Sequence, residues 1–390
     1  MPQDSLNVGN LSDKIDKLRS VQSSFTEELC SIIIVSESSS VDSYAKSSAV
    51  FIWLFGFDIP GSVLVYSFEN KMLHLFSDKY ANSNVFGDSG DLKTEKMSAF
   101  EESVKDEKFG TKKSVLFLKN KSGELFQKVF ATIKSNFLLV ECNSAVGKLL
   151  SVKTGKERNC AEKAANLCSA VYKYFLVPKI ETVIDEDIKI THSTLSKSTE
   201  KIINTPNKVQ INLNPDFVES CYSPIIQSGG EYNMKLSAES TSNPLKITKN
   251  APVLISLGVR YKSYCCNMSR SLMFDPSEEQ KRVYNTALCA FEAAVDALKP
   301  GTEVKRIWEI VRNVVEDKYP EKVDKLMKNC GFGIGIQFRE PGFVIHKSNA
   351  NKIENGMIFN LSVGFENLED TISNTPYAIQ IADTVVVEQK

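Results

Sequence analysis

The sequence has few of the residues that hold metal ions or form disulfide frameworks. Its three histidines, His74, His192 and His346, are far apart, and its nine cysteines form no CxxC motif. Structural zinc sites need clustered cysteine and histidine ligands, so this pattern predicts none. Most cysteines lie in apolar stretches, which is typical of reduced thiols in the cytosol or nucleus. We expect structural or solvated roles for the three histidines.

Neither sign of charge dominates the sequence, and no apolar run is long. The 47 basic and 48 acidic residues give a formal net charge of −1, which predicts no strong attraction to DNA or to an anionic membrane. The longest apolar run, Ala49 to Phe57, falls far short of the ~20 residues of a membrane-spanning helix, and we interpret it as a buried strand. The N-terminus, MPQDSLNVGNLSDK, lacks the basic start and apolar centre of a secretory signal.

The length and the order of patterns predict two domains. A chain of 390 residues can form two full cores. Residues 1–154 alternate strand and helix patterns and end in a β-α-β unit, without the Gly-rich loop that a nucleotide site requires. Residues 155–390 begin with helical patterns and end with several strands. The predicted fold class is therefore α+β, with a small α/β lobe at 1–154 and, at 155–390, helices packed on a curved antiparallel sheet.

The clearest pattern in the second lobe is the hairpin LGVRYKSYCCNMSRSLMFDP. Side chains alternate between the two faces of a strand. A reversal centred on Tyr261 and Lys262 would place Ser256 directly opposite Asn267. Two small polar side chains would then meet on one face of a largely apolar sheet. The end of the hairpin predicts a helix with Asp275 as its N-cap residue.

This hairpin resembles the metal-binding hairpin of the methionine aminopeptidase, aminopeptidase P and creatinase family, whose fold is called pita-bread. In those enzymes two metal-binding aspartates lie eleven residues apart, and the second belongs to the pattern GxxYKGYxxDxTRT. Together with CYSPIIQSGG and GFGIGIQFRE, the hairpin is still more similar to the peptidase-like N-terminal domain of the large subunit of FACT, a histone chaperone. The resemblance is dense from about Cys221 to Lys390 and general in the first lobe. It implies a pita-bread fold for the second lobe.

The resemblance also implies where the two-metal site of the enzymes would lie. Their five ligands, which are two aspartates, a histidine and two glutamates, correspond here to Ser256, Asn267, Phe332, Ser362 and Ala382. Two-metal sites depend on carboxylate charge and imidazole, and these side chains supply neither. The enzymes' second histidine corresponds to Arg339, a permanent cation that cannot act as a base at neutral pH. We therefore predict a pseudopeptidase with no catalytic residue, no metal and no cofactor, in which Asp383 points away from the Ala382 face.

The resemblance further implies a histone-binding module of a nuclear, chromatin-associated complex that reorganises nucleosomes during transcription, replication and repair. Its partners would be histones: the central tetramer, histone tails or the flanking dimer. The small FACT subunit would bind through regions absent from this chain, and we expect neither membrane binding nor strong direct DNA binding. A peptide could lie in the old cleft, with Arg339 pairing a carboxylate. The candidate cleft residues are Ser256, Asn267, Phe332, Arg339 and Ser362.

Other interpretations of the same residues stay open. The substituted positions could merely fill a redundant cavity. The chain could instead be a metal-dependent aminopeptidase with unusual ligands, or a structural scaffold with no affinity for histones. An acidic surface assembled from Glu181, Asp185–Asp187, Glu366 and Asp370 could contact basic histone tails, although solvated faces produce such charge runs too.

Overall fold

The computed structural model describes residues 10–37, 45–81, 84–86, 90–111, 113–119, 123–245, 252–371 and 374–389. The chain separates into two compact units, Met1–Leu150 and Ser151–Lys390. Sequence analysis set the boundary slightly later, at residue 154. Residues 151–153 fall in the second unit, where Val152 forms a β-bridge with Met357 and Lys153 pairs with Glu340.

The first unit is built on a mixed sheet. Its described strands are β1 (Leu29–Ser36), β2 (Ser62–Ser67), β3 (Met72–Phe76), β4 (Leu92–Glu95), β5 (Ser114–Phe117) and β6 (Leu138–Glu141). They are ordered β4-β3-β2-β1-β5-β6, with β2 antiparallel to β1 and β3 and the other neighbours parallel. The helices are α1 (Leu11–Ser20), α2 (Lys46–Phe55), α3 (Phe100–Lys105), α4 (Glu124–Asn136) and α5 (Asn143–Ser151). This architecture confirms the predicted α/β lobe.

The apolar run at residues 49–57 is mainly helical, so its interpretation as a strand was wrong. It lies largely within α2, where eight of the ten residues are buried. A helix buried on nearly all sides shows no polar stripe, and its pattern resembles that of a buried strand. Gly56 ends the helix with φ 86° and donates its N–H to the carbonyl of Ile52, a conformation that glycine adopts without a Cβ clash.

The second unit places helices against a larger antiparallel sheet. Its described helices are α6 (Gly155–Val171), α7 (Val177–Asp185), α8 (His192–Ile203), α9 (Glu278–Ala297) and α10 (Val304–Lys318). Its strands are β7 (Val218–Ser220), β8 (Ile225–Gln227), β9 (Val253–Tyr261), β10 (Tyr264–Leu272), β11 (Gly331–Gly333), β12 (Glu340–Val344), β13 (Ile358–Glu369) and β14 (Pro376–Val386). The order is β12-β11-β13-β14-β10-β9-β7, and β8 also pairs with β9. In the described part of the chain, no helix has the length and apolarity to cross a membrane.

One face of this sheet is covered by helices. The helix α9 packs on β13 and β14, α10 packs on α9, and α6 packs on β9 and β10. Leu361 and Val363 of β13 belong to the core formed with α9 and α10, and the Tyr264 hydroxyl of β10 donates to Glu157 Oε1 of α6 at 2.7 Å. Because side chains alternate along a strand, Ser362 and the other residues in its register point to the opposite face.

The central hairpin has a different register from the one expected. It reverses at Lys262 and Ser263, so Ser256 pairs with Ser269 and Asn267 pairs with Gly258. The predicted opposition of Ser256 and Asn267 was therefore wrong. The turn residues have φ of 46° and 70°, which fits the positive φ values of a two-residue type I′ turn. The register differs by two residues, so both side chains still share one face.

The helix α9 begins with a different cap from the one expected. Ser277, rather than Asp275, is the N-cap residue: its hydroxyl accepts from the Gln280 N–H, and the Gln280 side chain accepts from the Ser277 N–H. This reciprocal capping box satisfies two backbone donors. Asp275 has φ 50° and lies before the helix.

We expect Ser263→Gly to stabilise the hairpin. A side chain in the left-handed region costs roughly 1–2 kcal/mol, and glycine avoids this cost. The greater entropy of glycine in the unfolded chain offsets part of this gain. The free energy of unfolding should rise by about 0.5–1 kcal/mol in urea denaturation. Ser263→Ala keeps the Cβ and serves as the control; an equal gain in both variants would contradict the explanation.

Candidate functional site

The five positions that the resemblance assigns to metal ligands come from five strands of the second unit. Ser256 lies in β9, Asn267 in β10, Phe332 in β11, Ser362 in β13 and Ala382 in β14. These strands are neighbours in the sheet, and all five side chains are buried. The fold therefore brings together residues that are up to 126 positions apart (382 minus 256).

Three of these positions form a row across four strands. Ser362 pairs with Ala382, Ala382 with Ser269, and Ser269 with Ser256. The hydroxyl oxygens of Ser256 and Ser269 are 2.6 Å apart, and Gln380 Nε2 donates to Ser362 Oγ at 2.9 Å. The buried hydroxyls thus satisfy one another and a neighbouring amide without any charged group.

Asn267 is the centre of a second set of uncharged contacts. Its Oδ1 accepts from the Tyr222 hydroxyl at 2.5 Å, and its Nδ2 donates to Asn360 Oδ1 at 3.2 Å. Its backbone N–H donates to Thr384 Oγ1 at 2.9 Å, and that hydroxyl donates back to the Asn267 carbonyl at 3.0 Å. Both ends of the Asn267 amide are therefore already occupied by protein groups.

An aromatic cluster occupies the position assigned to the enzymes' histidine. The Phe332 ring lies 5.7 Å from the Phe338 ring, which in turn meets Tyr222 edge-on at 5.4 Å. The Arg339 guanidinium lies 5.4 Å from the centre of the Phe332 ring, within cation–π range. Phe332 is buried whereas Arg339 is exposed, so the cation lies at the open side of this cluster.

The acids nearest to this face are held by cations of the protein. Asp383 lies on the other face, as predicted, because its neighbour Ala382 pairs with Ser362; Arg270 Nη2 donates to both of its oxygens at 2.8 and 2.9 Å. Glu340 Oε1 lies 2.5 Å from Lys153 Nζ, with side chains only 5% and 1% exposed. A buried ion pair of this kind leaves neither charge available for another ligand.

A third acid is buried under the hairpin. Glu157 accepts from Tyr264 and, through Oε2, from the Thr154 N–H at 2.6 Å. Burial, with the Glu157 charge as a second cause, raises the pKa of Tyr264 well above its usual value. The tyrosine therefore keeps its proton and acts as a hydrogen-bond donor that fixes α6 against β10.

These residues do not fit a two-metal site. Such a site needs several anionic oxygens, usually with an imidazole, whereas the five positions offer two hydroxyls, one amide, a phenyl ring and a methyl group. Among the residues that the structure describes, no group of three or more His, Cys, Asp or Glu side chains could hold a metal ion. The sheet therefore places the five positions on neighbouring strands, but their side chains are not the ligands that a two-metal site needs.

A cavity of about 480 Å³ opens on the same face. Four of the candidate cleft residues line it, namely Asn267, Phe332, Arg339 and Ser362, and Ser256 does not. Sequence analysis missed the other lining residues, which are Met234, Lys235, Leu236, Ser237, Met327, Asn329, Gly331, Phe338, Asn360 and Gln380. Of these, Gly331 and Phe338 lie in the segment GFGIGIQFRE, which the resemblance had singled out.

The first four of these residues lie in a strap, which we define as residues 228–245. It begins at Gly229 and Gly230, with φ of 77° and 97°, so the chain turns sharply where side chains are disfavoured. The Gln227 amide then clamps Asn233, accepting from its N–H at 2.9 Å and donating to its carbonyl at 3.1 Å. These contacts position residues 234–237 beside the cavity.

His192 ties the two ends of the strap to α8. Its Nε2 lies 2.8 Å from Ser228 Oγ and its Nδ1 3.2 Å from Thr241 Oγ1. Burial lowers the pKa of His192, against an opposing effect of Glu231. The imidazole is therefore neutral at neutral pH and serves as a structural anchor, in keeping with the role expected for the histidines.

We predict that Lys153→Met destabilises the second unit. The change leaves the Glu340 carboxylate buried without its ammonium partner, which typically costs about 3–5 kcal/mol. Denaturant unfolding should show the loss, and adding Glu340→Gln should restore much of it because no buried charge remains. A single variant as stable as the unmodified chain would contradict this role of the pair.

Comparisons with known proteins agree with this geometry. Residues 159–389 match the model of metallopeptidase family M24. The FACT complex subunit SPT16 of Zea mays is 33% identical over 373 residues, which cover 89% of this chain and 35% of the maize protein. The chain thus spans about a third of the length of the maize protein and of its counterpart from Arabidopsis thaliana.

Solved structures show the same fold. The N-terminal domain of FACT complex subunit SPT16 from Cicer arietinum has a TM-score of 0.86 and 31% identity, covering 97% of this chain and 95% of that one. An X-Pro aminopeptidase from Thermotoga maritima has a TM-score of 0.70 and 18% identity, covering 93% of each chain. The second similarity concerns the fold alone. Together they confirm the predicted pita-bread fold.

Proposed function

This chain belongs to metallopeptidase family M24 and is homologous to the N-terminal domain of FACT complex subunit SPT16; we propose that it is a non-catalytic domain that binds histones. In this proposal it acts in the nucleus, on chromatin, as part of a FACT-type chaperone that reorganises nucleosomes during transcription, replication and repair. The small FACT subunit binds through regions that this chain does not contain. The cleft that corresponds to the active site of the enzymes, including Asn267, Phe332, Arg339 and Ser362, binds a peptide without hydrolysing it.

The observation that supports the loss of catalysis is the uncharged network of the cleft face. Peptide hydrolysis by a two-metal site requires a metal-activated water, and the hydroxyls and amides around Asn267 and Ser362 bond to one another instead. Arg339 cannot accept a proton at neutral pH. The cleft therefore offers neither an activated nucleophile nor a general base.

We propose the exposed end of α7 as the surface that meets basic histone segments. Glu181, Asp185, Glu186 and Asp187 are all exposed. Ile184, which precedes Asp185, and Ile188, which follows Asp187, are each 38% exposed. Acidic side chains interleaved with apolar ones can pair with a basic partner and bury apolar area at the same time. We call these six residues the α7 patch.

The acidic surface suggested by the sequence does not extend to Asp370. That residue is fully buried and accepts from Ser277 Oγ at 2.8 Å, so its inclusion was wrong. Glu366 is only half-buried and lies on β13. The proposal therefore rests on the α7 patch alone.

The first prediction of this proposal concerns metal content. After loading with manganese, cobalt or zinc and desalting, we expect far less than one equivalent of metal per chain, because the five positions supply no anionic oxygen. Elemental analysis measures this directly. Two equivalents of tightly bound metal per chain would favour an active metallopeptidase and contradict the proposal of a non-catalytic domain.

The second prediction concerns histones. We expect the chain to bind the central histone tetramer, the flanking dimer or tail peptides with micromolar or tighter affinity at low salt, and distinctly more weakly at physiological salt. Reversing Glu181 and Asp185 to lysine should weaken the binding about tenfold, since each reversal replaces attraction by repulsion.

A matched control makes the same charge change elsewhere. Glu162 and Glu292 are exposed residues of α6 and α9, and reversing both to lysine should leave histone affinity within about twofold. Equal losses in the two double variants would point to net charge rather than to the α7 patch. No binding to any histone preparation would favour a structural scaffold.

A further inference from the structure

We infer that the cleft takes a peptide that presents a carboxylate beside an apolar side chain, and that it disfavours basic histone tails. This inference rests on the proposal that the cleft binds a peptide. It assigns that peptide a charge opposite to the one expected from a histone tail. The basis is the set of side chains that line the cavity.

The lining residues include two cations and no acid. Lys235 lies on the strap and Arg339 directly precedes β12, and both are exposed. Within the described ranges neither takes part in an ion pair, although Arg339 also lies over the Phe332 ring. A cleft with charge of one sign concentrates ligands of the opposite sign.

Acids of the neighbouring strands and of the strap do not neutralise these cations. Glu340, which follows Arg339, is bound to Lys153, and Asp383 is bound to Arg270 on the other face. Two acids of the strap, Glu231 and Glu239, line a separate cavity next to His192. The two cations of the cleft therefore remain available to a ligand.

The remaining lining residues define what lies beside the carboxylate. Phe332 and Phe338 offer aromatic surfaces, and Met234, Leu236 and Met327 offer flexible apolar ones. Methionine and aromatic side chains adapt to varied apolar groups. A peptide with an apolar residue next to a carboxylate could place the side chain on these groups and the anion between the cations.

The cleft is unfavourable for a basic histone tail. Its lysines and arginines would approach Lys235 and Arg339 with like charge, and no lining acid would replace the water that they lose. Basic histone tails should therefore bind outside the cleft, at a surface such as the α7 patch. The two kinds of ligand could then be bound at the same time.

The test uses the whole chain and fluorescent peptides. One peptide, Gly-Gly-Leu-Phe with a capped N-terminus, is made with a free C-terminal carboxylate and with a C-terminal amide. Further amidated peptides, Gly-Gly-Leu-Phe-Asp and Gly-Gly-Leu-Phe-Lys, distinguish a side-chain carboxylate from a terminal one and supply a basic match. We expect one or both carboxylate peptides to bind at least about tenfold tighter than the amide and the lysine peptide at low salt.

Variants of the two cations locate the effect. Arg339→Gln and Lys235→Gln together should remove the preference for a carboxylate, and Arg339→Glu should shift it toward the lysine peptide. Lys197→Gln removes an exposed cation of α8 outside the cavity and is the control, with no expected change. Circular dichroism and the unfolding midpoint verify that each variant folds.

The outcomes separate this inference from the proposed function. A lysine peptide that binds as tightly as the carboxylate peptides, a preference that survives the double variant, or the absence of binding by all the peptides would each overturn the inference. Histone affinity is measured independently with the same proteins. Carboxylate selectivity without histone binding would leave the inference standing and contradict the proposed function, and the reverse result would do the opposite.

Discussion

Each strand of the larger sheet sends alternate side chains to opposite faces, and α6 and α9 cover only one of those faces. The arrangement of the polar row at the candidate site depends on this constraint. It places Ser362, Ala382, Ser269 and Ser256 in one row across four strands, while Asp383 faces the other way. The pairing of β9 with β10 continues without a bulge along the whole hairpin, so each side chain stays on its own face. Polar side chains from distant parts of the chain therefore lie on one face of the sheet, and the apolar core forms on the other.

The cleft face keeps the polarity of an active site without its charge. A single hydroxyl or amide buried without a partner would be costly, but Ser256 bonds to Ser269, Ser362 to Gln380 and Asn267 to Tyr222. These mutual contacts satisfy the buried polar atoms of the cleft face without any charged group.

In our proposal, fixed cations of the protein give the cleft a positive character. Lys235 reaches the cavity from the strap and Arg339 from the segment before β12, whereas the acids nearby are paired with other groups. Basic histone segments and carboxylate-bearing peptides would then use different surfaces of one unit. The strap is held by His192 and Gln227, so the shape of the cleft depends on contacts outside it.

The sequence alone determined the α+β class and the resemblance to the pita-bread fold, because strand alternation and short motifs are local properties. For the same reason it correctly predicted that the Asp383 side chain points away from the face that carries Ala382. The assignment of five positions to substituted metal ligands stays a prediction from that resemblance. Tertiary structure decided the hairpin register, since the φ values of Lys262 and Ser263 depend on how the two strands twist and pair. It also decided that Asp370 is buried and that Lys235 lines the cleft, because burial and the path of an irregular loop depend on packing between distant segments, which no local pattern records.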